Sequence, residues 1–132
     1  MSTQSDKSHT VADVMLTMDA CPVADERTIL KEVLDAMDKH RLGVVCIVDQ
    51  AMHLTGILTE GDVRRKLLRV QKPLAALLAD DVITHAVKSP ISITADVQLM
   101  DALDLMDEKK IWDLPVVDAD MKVVGLLHLH QA

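Results

Sequence analysis

The feature that most restricts this 132-residue chain is an internal repeat. Adding 69 to the residue number carries Leu30 to Leu99, Leu34 to Leu103, Met37 to Met106, Val48 to Val117, Asp49 to Asp118, Gly56 to Gly125 and Leu58 to Leu127, each onto an identical residue. A one-residue slip in the loop ahead of the helix brings Asp13-Val14-Met15 onto Asp81-Val82-Ile83. Identity at a fixed offset across a helix, a strand, a turn and a second strand means two copies of one supersecondary unit, neither of which buries its apolar face alone. The length suits one compact domain or two small repeats sharing a core, and 49% hydrophobic residues suffice to fill it.

Within the first copy, Val11 to Met15 reads as a short helical turn, and Cys21-Pro22-Val23 as a brief extended piece kept off the helix by its proline. From Thr28, taken as an N-cap, Ile29, Leu30, Val33, Leu34 and Met37 recur at helical spacing while Lys31, Glu32, Asp35 and Asp38 face outward. Gly43 to Val48 is a continuous apolar run rich in β-branched residues and reads as a buried strand, which Asp49 to His53 turns back into the strand Leu54 to Leu58. The same order returns in the second copy, and Gln71 to Ala79 joins the two, with Pro73 opening the joint. The expected division is a disordered tail over 1–10, a first motif over 11–72 and a second over 73–132.

The net charge of −7 argues against general nucleic-acid binding, and with Trp112 as the sole aromatic of the Phe, Tyr and Trp class there is no platform of stacked rings for bases. No apolar run approaches a membrane span, and the polar start reads as a lead-in rather than a signal peptide, so the expected compartment is the cytoplasm. Cys21 and Cys46 lack metal-ligand spacing and read as reduced, packed thiols.

The stretch with chemical content is Thr55-Gly56-Ile57-Leu58-Thr59-Glu60-Gly61-Asp62, which runs from a strand through a hydroxyl and carboxylate turn into the basic helix Val63-Arg64-Arg65-Lys66-Leu67-Leu68-Arg69. Gly56 leaves room at the strand's start, Thr59 offers a hydroxyl at its end, and Asp62 stands where a carboxylate caps the next helix or grips a ribose diol. Free N–H groups in a helix's first turn favour an anion such as phosphate, and the cations Arg64, Arg65, Lys66, Arg69 and Lys72 form either a solvated face or a phosphate contact.

Two tandem helix-strand-strand units, the first closing on Gly56-Ile57-Leu58-Thr59-x-x-Asp62, resemble a pair of cystathionine-β-synthase (CBS) motifs, the arrangement called a Bateman module, over residues 11–131. The resemblance implies an α+β fold in which two motifs of β-α-β-β-α type pack about a pseudo-two-fold axis. Residues 56–65 and 124–130 are similar to the CBS pairs at the C-terminus of bacterial arabinose-5-phosphate isomerases, which supply the lipopolysaccharide sugar Kdo. The likeness implies a regulatory module, with catalysis elsewhere and no required cofactor. Its ligand would be AMP, ATP or the sugar nucleotide CMP-Kdo. In adenosine-binding pairs the motif's Asp holds the ribose and its Thr the phosphate. Carried over, Asp62 takes the ribose, Thr59 the phosphate, and the segments around Pro22 and Val23 and around Gly43, Val44 and Val45 line the base; Arg64 and Arg65 join the candidate site by their position just after the turn, as contacts to a phosphate or sugar acid.

The second copy departs from the pattern. His128 stands at the Thr59 position and Gln131 at the Asp62 position, and the motif's closing helix is missing. His128 and His130 share one strand face without a third ligand nearby, so no metal is assigned. They are either contacts to an anionic sugar nucleotide or strand-end histidines satisfied by solvent. Trp112 is assigned to packing or to a dimer contact in preference to ligand stacking. The expected assembly is a homodimer through helical faces carrying Leu34, Met37, Leu103 and Met106, with a partner enzyme or fused isomerase domain. No nucleophile with a positioned base and no convergent carboxylate pair points to an enzyme. The competing reading is a structural dimerisation module without a physiological ligand.

Overall fold

A computed structural model describes residues 9–129. In chain order the elements are α1 (Val11–Val14), β1 (Leu16–Thr17), β2 (Val23–Asp25), α2 (Leu30–His40), β3 (Val44–Val48), β4 (Leu54–Thr59), α3 (Glu60–Arg69), α4 (Leu74–Leu78), α5 (Val82–His85), β5 (Val87–Lys88), β6 (Ile93–Thr94), α6 (Leu99–Lys109), β7 (Asp113–Val117) and β8 (Val123–His128). Among these residues the strands form two four-stranded sheets, ordered β2-β3-β4-β5 and β6-β7-β8-β1. Among the described residues no helix is long and apolar enough to cross a membrane.

The two sheets are the same sheet built twice, and the fold is the expected α+β pair about a pseudo-two-fold axis. Its clearest mark is a reciprocal pair of hydrogen bonds where the hairpin turns meet. Leu54 N–H donates to the Met121 carbonyl (2.9 Å) and Val123 N–H to the Met52 carbonyl (3.1 Å), with His53 bridged to Lys122 between them. Met52 and Met121 hold positive φ (72° and 65°), the left-handed residue each turn needs where glycine is absent. Asp49 and Asp118 close these turns by accepting backbone N–H groups two and four residues ahead.

The repeats exchange their lead-in segments. α1–β1 belongs to the second sheet, where Leu16 pairs with Leu126, and α5–β5 belongs to the first, where Val87 pairs with Ile57. The bonds are again reciprocal. Val11 N–H donates to Val97 and Leu99 N–H to His9, while Val82 N–H donates to Thr28 and Leu30 N–H to Asp80. Val11 and Val82 are each fully buried in the other repeat's core, and such burial is worth about 1.5–3 kcal/mol per side chain. These equivalences replace the one-residue slip, an offset of 68, by an offset of 71 in the lead-in, because the first repeat has six residues between Thr17 and Ala24 where the second has four between the equivalent Lys88 and Ile93. The N-cap of α2 is likewise Ile29 and not Thr28, since the Leu30 N–H is satisfied by the Asp80 carbonyl of the exchanged segment.

Core packing follows from strand alternation. β3 is buried along its whole length, so both faces find apolar partners. Val44, Cys46 and Val48 face a shared core with Val117, Val123 and Leu126 of the second sheet, while Val45 and Ile47 face Leu30, Val33 and Met37 of α2. The layers therefore run helices, sheet, sheet, helices. Cys21 and Cys46 are free thiols buried in the shared core. Gly125 is required by close approach, because a Cβ there would sit 2.6 Å from the Leu16 carbonyl oxygen. Met37 and Met106 are buried in their own repeats' cores and so present nothing to a second molecule, whereas Leu34 and Leu103 are only half-buried.

Candidate functional site

The exchange of lead-in segments brings three stretches distant in sequence to one cavity of about 880 Å³ between the repeats. One wall is the first repeat's turn, Thr59 to Asp62 with Arg64, Arg65 and Gly43. The opposite wall is the second repeat's Lys110 to Asp113 with His128 and Leu129, and the exchanged segment Val87 to Ile91 lies between.

Thr59 ends β4 and caps α3 in a full capping box. Its hydroxyl accepts the Asp62 N–H (3.2 Å) and donates to Asp62 Oδ2, and that oxygen also accepts the Thr59 N–H, both at 3.0 Å. Asp62 Oδ1 accepts from the Arg65 guanidinium at 2.7 Å. The carboxylate is thus held in one orientation by three donors, with a lone pair on Oδ1 left over. Of the first-turn amides, Glu60 N–H goes to the Gly43 carbonyl (2.9 Å) and Asp62 N–H to Thr59, so the cations carry much of the attraction for an anion at this helix end. Arg64 is exposed, and no ion pair of it occurs among the described residues. Gly43 is where the β3 entry passes the Glu60 side chain, which a Cβ would meet at 2.8 Å.

The second repeat fills the matching positions differently. Asp113 stands where the first has Val44, His128 where it has Thr59, and the two face each other across β7–β8 as Val44 and Thr59 do across β3–β4. His128 Nδ1 lies 2.6 Å from Asp113 Oδ1, with both side chains largely buried. Burial pushes the Asp113 carboxyl above its usual range, against the hydrogen bond from His128. A hydroxyl at this end of the cavity is therefore replaced by an imidazole and carboxylate pair.

Of the residues singled out from sequence, Gly43, Thr59, Asp62, Arg64, Arg65 and His128 line the cavity. Pro22, Val44 and Val45 are buried in the packing, and Val23 pairs with Cys46 at the edge of the shared core, so none of these four is in the cavity wall. His130 lies outside the described residues. Sequence reasoning passed over Asp113 and Val87 to Ile91, and it assigned Trp112 to packing or a dimer contact rather than to the site. Asp113 could have been found from the repeat itself, because the offset maps the cross-strand pair Val44 and Thr59 onto it and His128 together. The described residues contain no group of three or more His, Cys, Asp and Glu side chains able to hold a metal.

Comparison with known proteins bears on this architecture directly. The family model for the CBS domain matches residues 9–69 and 79–131. The chain belongs to the CBS domain family. This CBS pair is similar to arabinose 5-phosphate isomerase KdsD of Pseudomonas aeruginosa (35% identity over 120 residues, 91% of this chain and 36% of that protein). It is also similar to the protein RP505 of Rickettsia prowazekii (32% over 120 residues, 91% and 35%). The pair thus spans about a third of the length of these relatives. Among solved structures, CBSX2 of Arabidopsis thaliana, in a complex with AMP, superimposes with a TM-score of 0.80 at 27% identity, covering 91% of this chain and 90% of that one.

Proposed function

We propose that this CBS pair is a regulatory module that senses a nucleotide or sugar nucleotide in the cavity between its repeats and passes its occupancy to an enzyme. One observation carries the reading: an oriented carboxylate, Asp62, and two guanidinium groups, Arg64 and Arg65, meet at one end of a cavity large enough for a nucleotide. The ribose hydroxyls donate to Asp62, one to the free lone pair of Oδ1 and the other in competition with Arg65. The phosphate is held by Arg64, by the released Arg65 and by the Thr59 hydroxyl. Because Arg65 changes partner when the ligand arrives, binding rearranges the ion pairs on α3, an outer helix with no buried residue. That helix is placed to report to a neighbouring protein.

The AMP complex of CBSX2 supports the ligand class. The KdsD relatives support a sugar-phosphate isomerase as the regulated enzyme, and with it CMP-Kdo as a ligand alongside AMP and ATP. Homodimerisation is part of the same proposal. The test is thermal denaturation with AMP, ATP, S-adenosylmethionine and CMP-Kdo. A ligand at a hundred times its Kd stabilises the folded state by about 2.7 kcal/mol, a rise of roughly 10 °C in a domain of this size. If none of the four shifts the transition, the structural dimerisation reading takes its place.

A further inference from the structure

Resting on that reading, we infer that Trp112 is the platform on which the base of the nucleotide stacks, so that the ligand lies with its phosphate toward the first repeat and its base toward the second. Trp112 occupies the position of Gly43 under the 69-residue offset, so the two repeats present opposite surfaces to the cavity. Where the first has a glycine passing Glu60, the second has an indole. The backbone around it is fixed, because the Trp112 carbonyl accepts the Leu129 N–H at 2.9 Å and Lys110 closes α6 in the left-handed conformation. The side chain, however, stays 51% exposed. Val87, which pairs with Ile57 of the first repeat, and Ile91, both exposed, line the same cavity and add apolar surface to it. A cavity that offers an exposed indole from one repeat, beside the Asp113–His128 pair and Lys110, and a carboxylate with two guanidinium groups from the other matches a molecule with a flat ring system at one end and a phosphorylated sugar at the other.

Trp112 is the single tryptophan in a chain without tyrosine or phenylalanine, so intrinsic fluorescence reads this one side chain. The experiment titrates the protein with AMP and with ribose 5-phosphate, following indole emission and heat in parallel. AMP should quench or shift the emission with a midpoint equal to its calorimetric Kd, and ribose 5-phosphate should leave it unchanged. Trp112→Leu should weaken AMP roughly five- to a hundred-fold, as loss of base stacking does, without altering the affinity for ribose 5-phosphate, and Trp112→Tyr should restore most of it. AMP binding with unaltered emission and equal affinity in Trp112→Leu overturns the stack and leaves the nucleotide reading standing. Absence of AMP binding to the unmodified protein overturns the stack, and the nucleotide reading falls with it only if ATP, S-adenosylmethionine and CMP-Kdo also leave the melting temperature unshifted. Emission that follows protein concentration rather than AMP makes Trp112 a subunit contact and overturns the inference.

Discussion

Replacing Asp62 by alanine separates a helix cap from a ligand contact, because the two roles predict different numbers. The substitution removes an acceptor from the Thr59 N–H and hydroxyl and from Arg65. Losing the capping box costs about 0.5–2 kcal/mol. The Arg65 ion pair adds about 0.2–1 kcal/mol, since the guanidinium is half-exposed and screened. Stability should therefore fall by about 0.7–3 kcal/mol, and the melting temperature by roughly 2–12 °C. If Asp62 also holds a ribose, the ligand loses charge-assisted hydrogen bonds worth about 1.5–3 kcal/mol, or ten- to 150-fold in affinity. Asp62→Asn refines the comparison. Its amide oxygen still accepts from Thr59, so it should keep more stability than alanine while losing the charge that the hydroxyls and Arg65 need. Urea denaturation gives the first quantity, and calorimetric titration with AMP the second. An AMP dissociation constant unchanged by Asp62→Ala, alongside the expected drop in stability, would mean that the turn is a cap and nothing more.

Gly125→Ala should destabilise the protein by about 1–3 kcal/mol, because its Cβ meets the Leu16 carbonyl oxygen at 2.6 Å and Met15 Sδ at 2.9 Å. The equivalent Gly56→Ala, whose nearest atoms lie at 3.2–3.3 Å, should cost less, and the reverse order in urea midpoints would contradict the close-packing account of the exchanged strands. The Asp80 carboxyl is held below its usual range by Lys72 and then by His85. A carboxyl with a depressed folded-state pKa contributes stability present above about pH 4 and lost as pH falls through the folded value. Asp80→Asn should thus be less stable than the parent at pH 7, with a gap that narrows at pH 3. Parallel pH profiles of the two proteins would dispose of the idea.

Much of the fold was legible because burial leaves a periodic record in the residues. The run Val44 to Val48 is apolar at every position since β3 is covered on both faces, and α2 shows its core stripe at helical spacing. The strand from Leu54 to Leu58 and the capping chemistry of Asp62 were readable for the same local reason, although the strand runs on to Thr59 and the cap is a reciprocal box with it. The site was only half readable. Thr59, Asp62, Arg64 and Arg65 lie within seven residues of chain, so a motif contains them. Trp112, Asp113 and Val87 to Ile91 reach the same cavity only because two sheets pack together, and no short stretch records that. Thr28 misled because a residue with good cap chemistry was outcompeted by a carbonyl fifty residues away.

By itself, then, the chain's order of residues determined a duplicated helix-strand-strand unit, the polarity of each face and the chemistry of the Thr59–Asp62 turn, since all of these depend on neighbours within one or two turns of chain. Tertiary structure alone decided which repeat each lead-in strand completes. The bonds at stake, Val11 to Val97 and Val82 to Thr28 among them, are backbone pairings that any residue but proline can make. That choice in turn placed Val87 to Ile91 between the repeats and set Trp112 across the cavity from Asp62. A backbone hydrogen bond carries no side-chain signature, so the element that assembles the site is the one the sequence leaves unmarked.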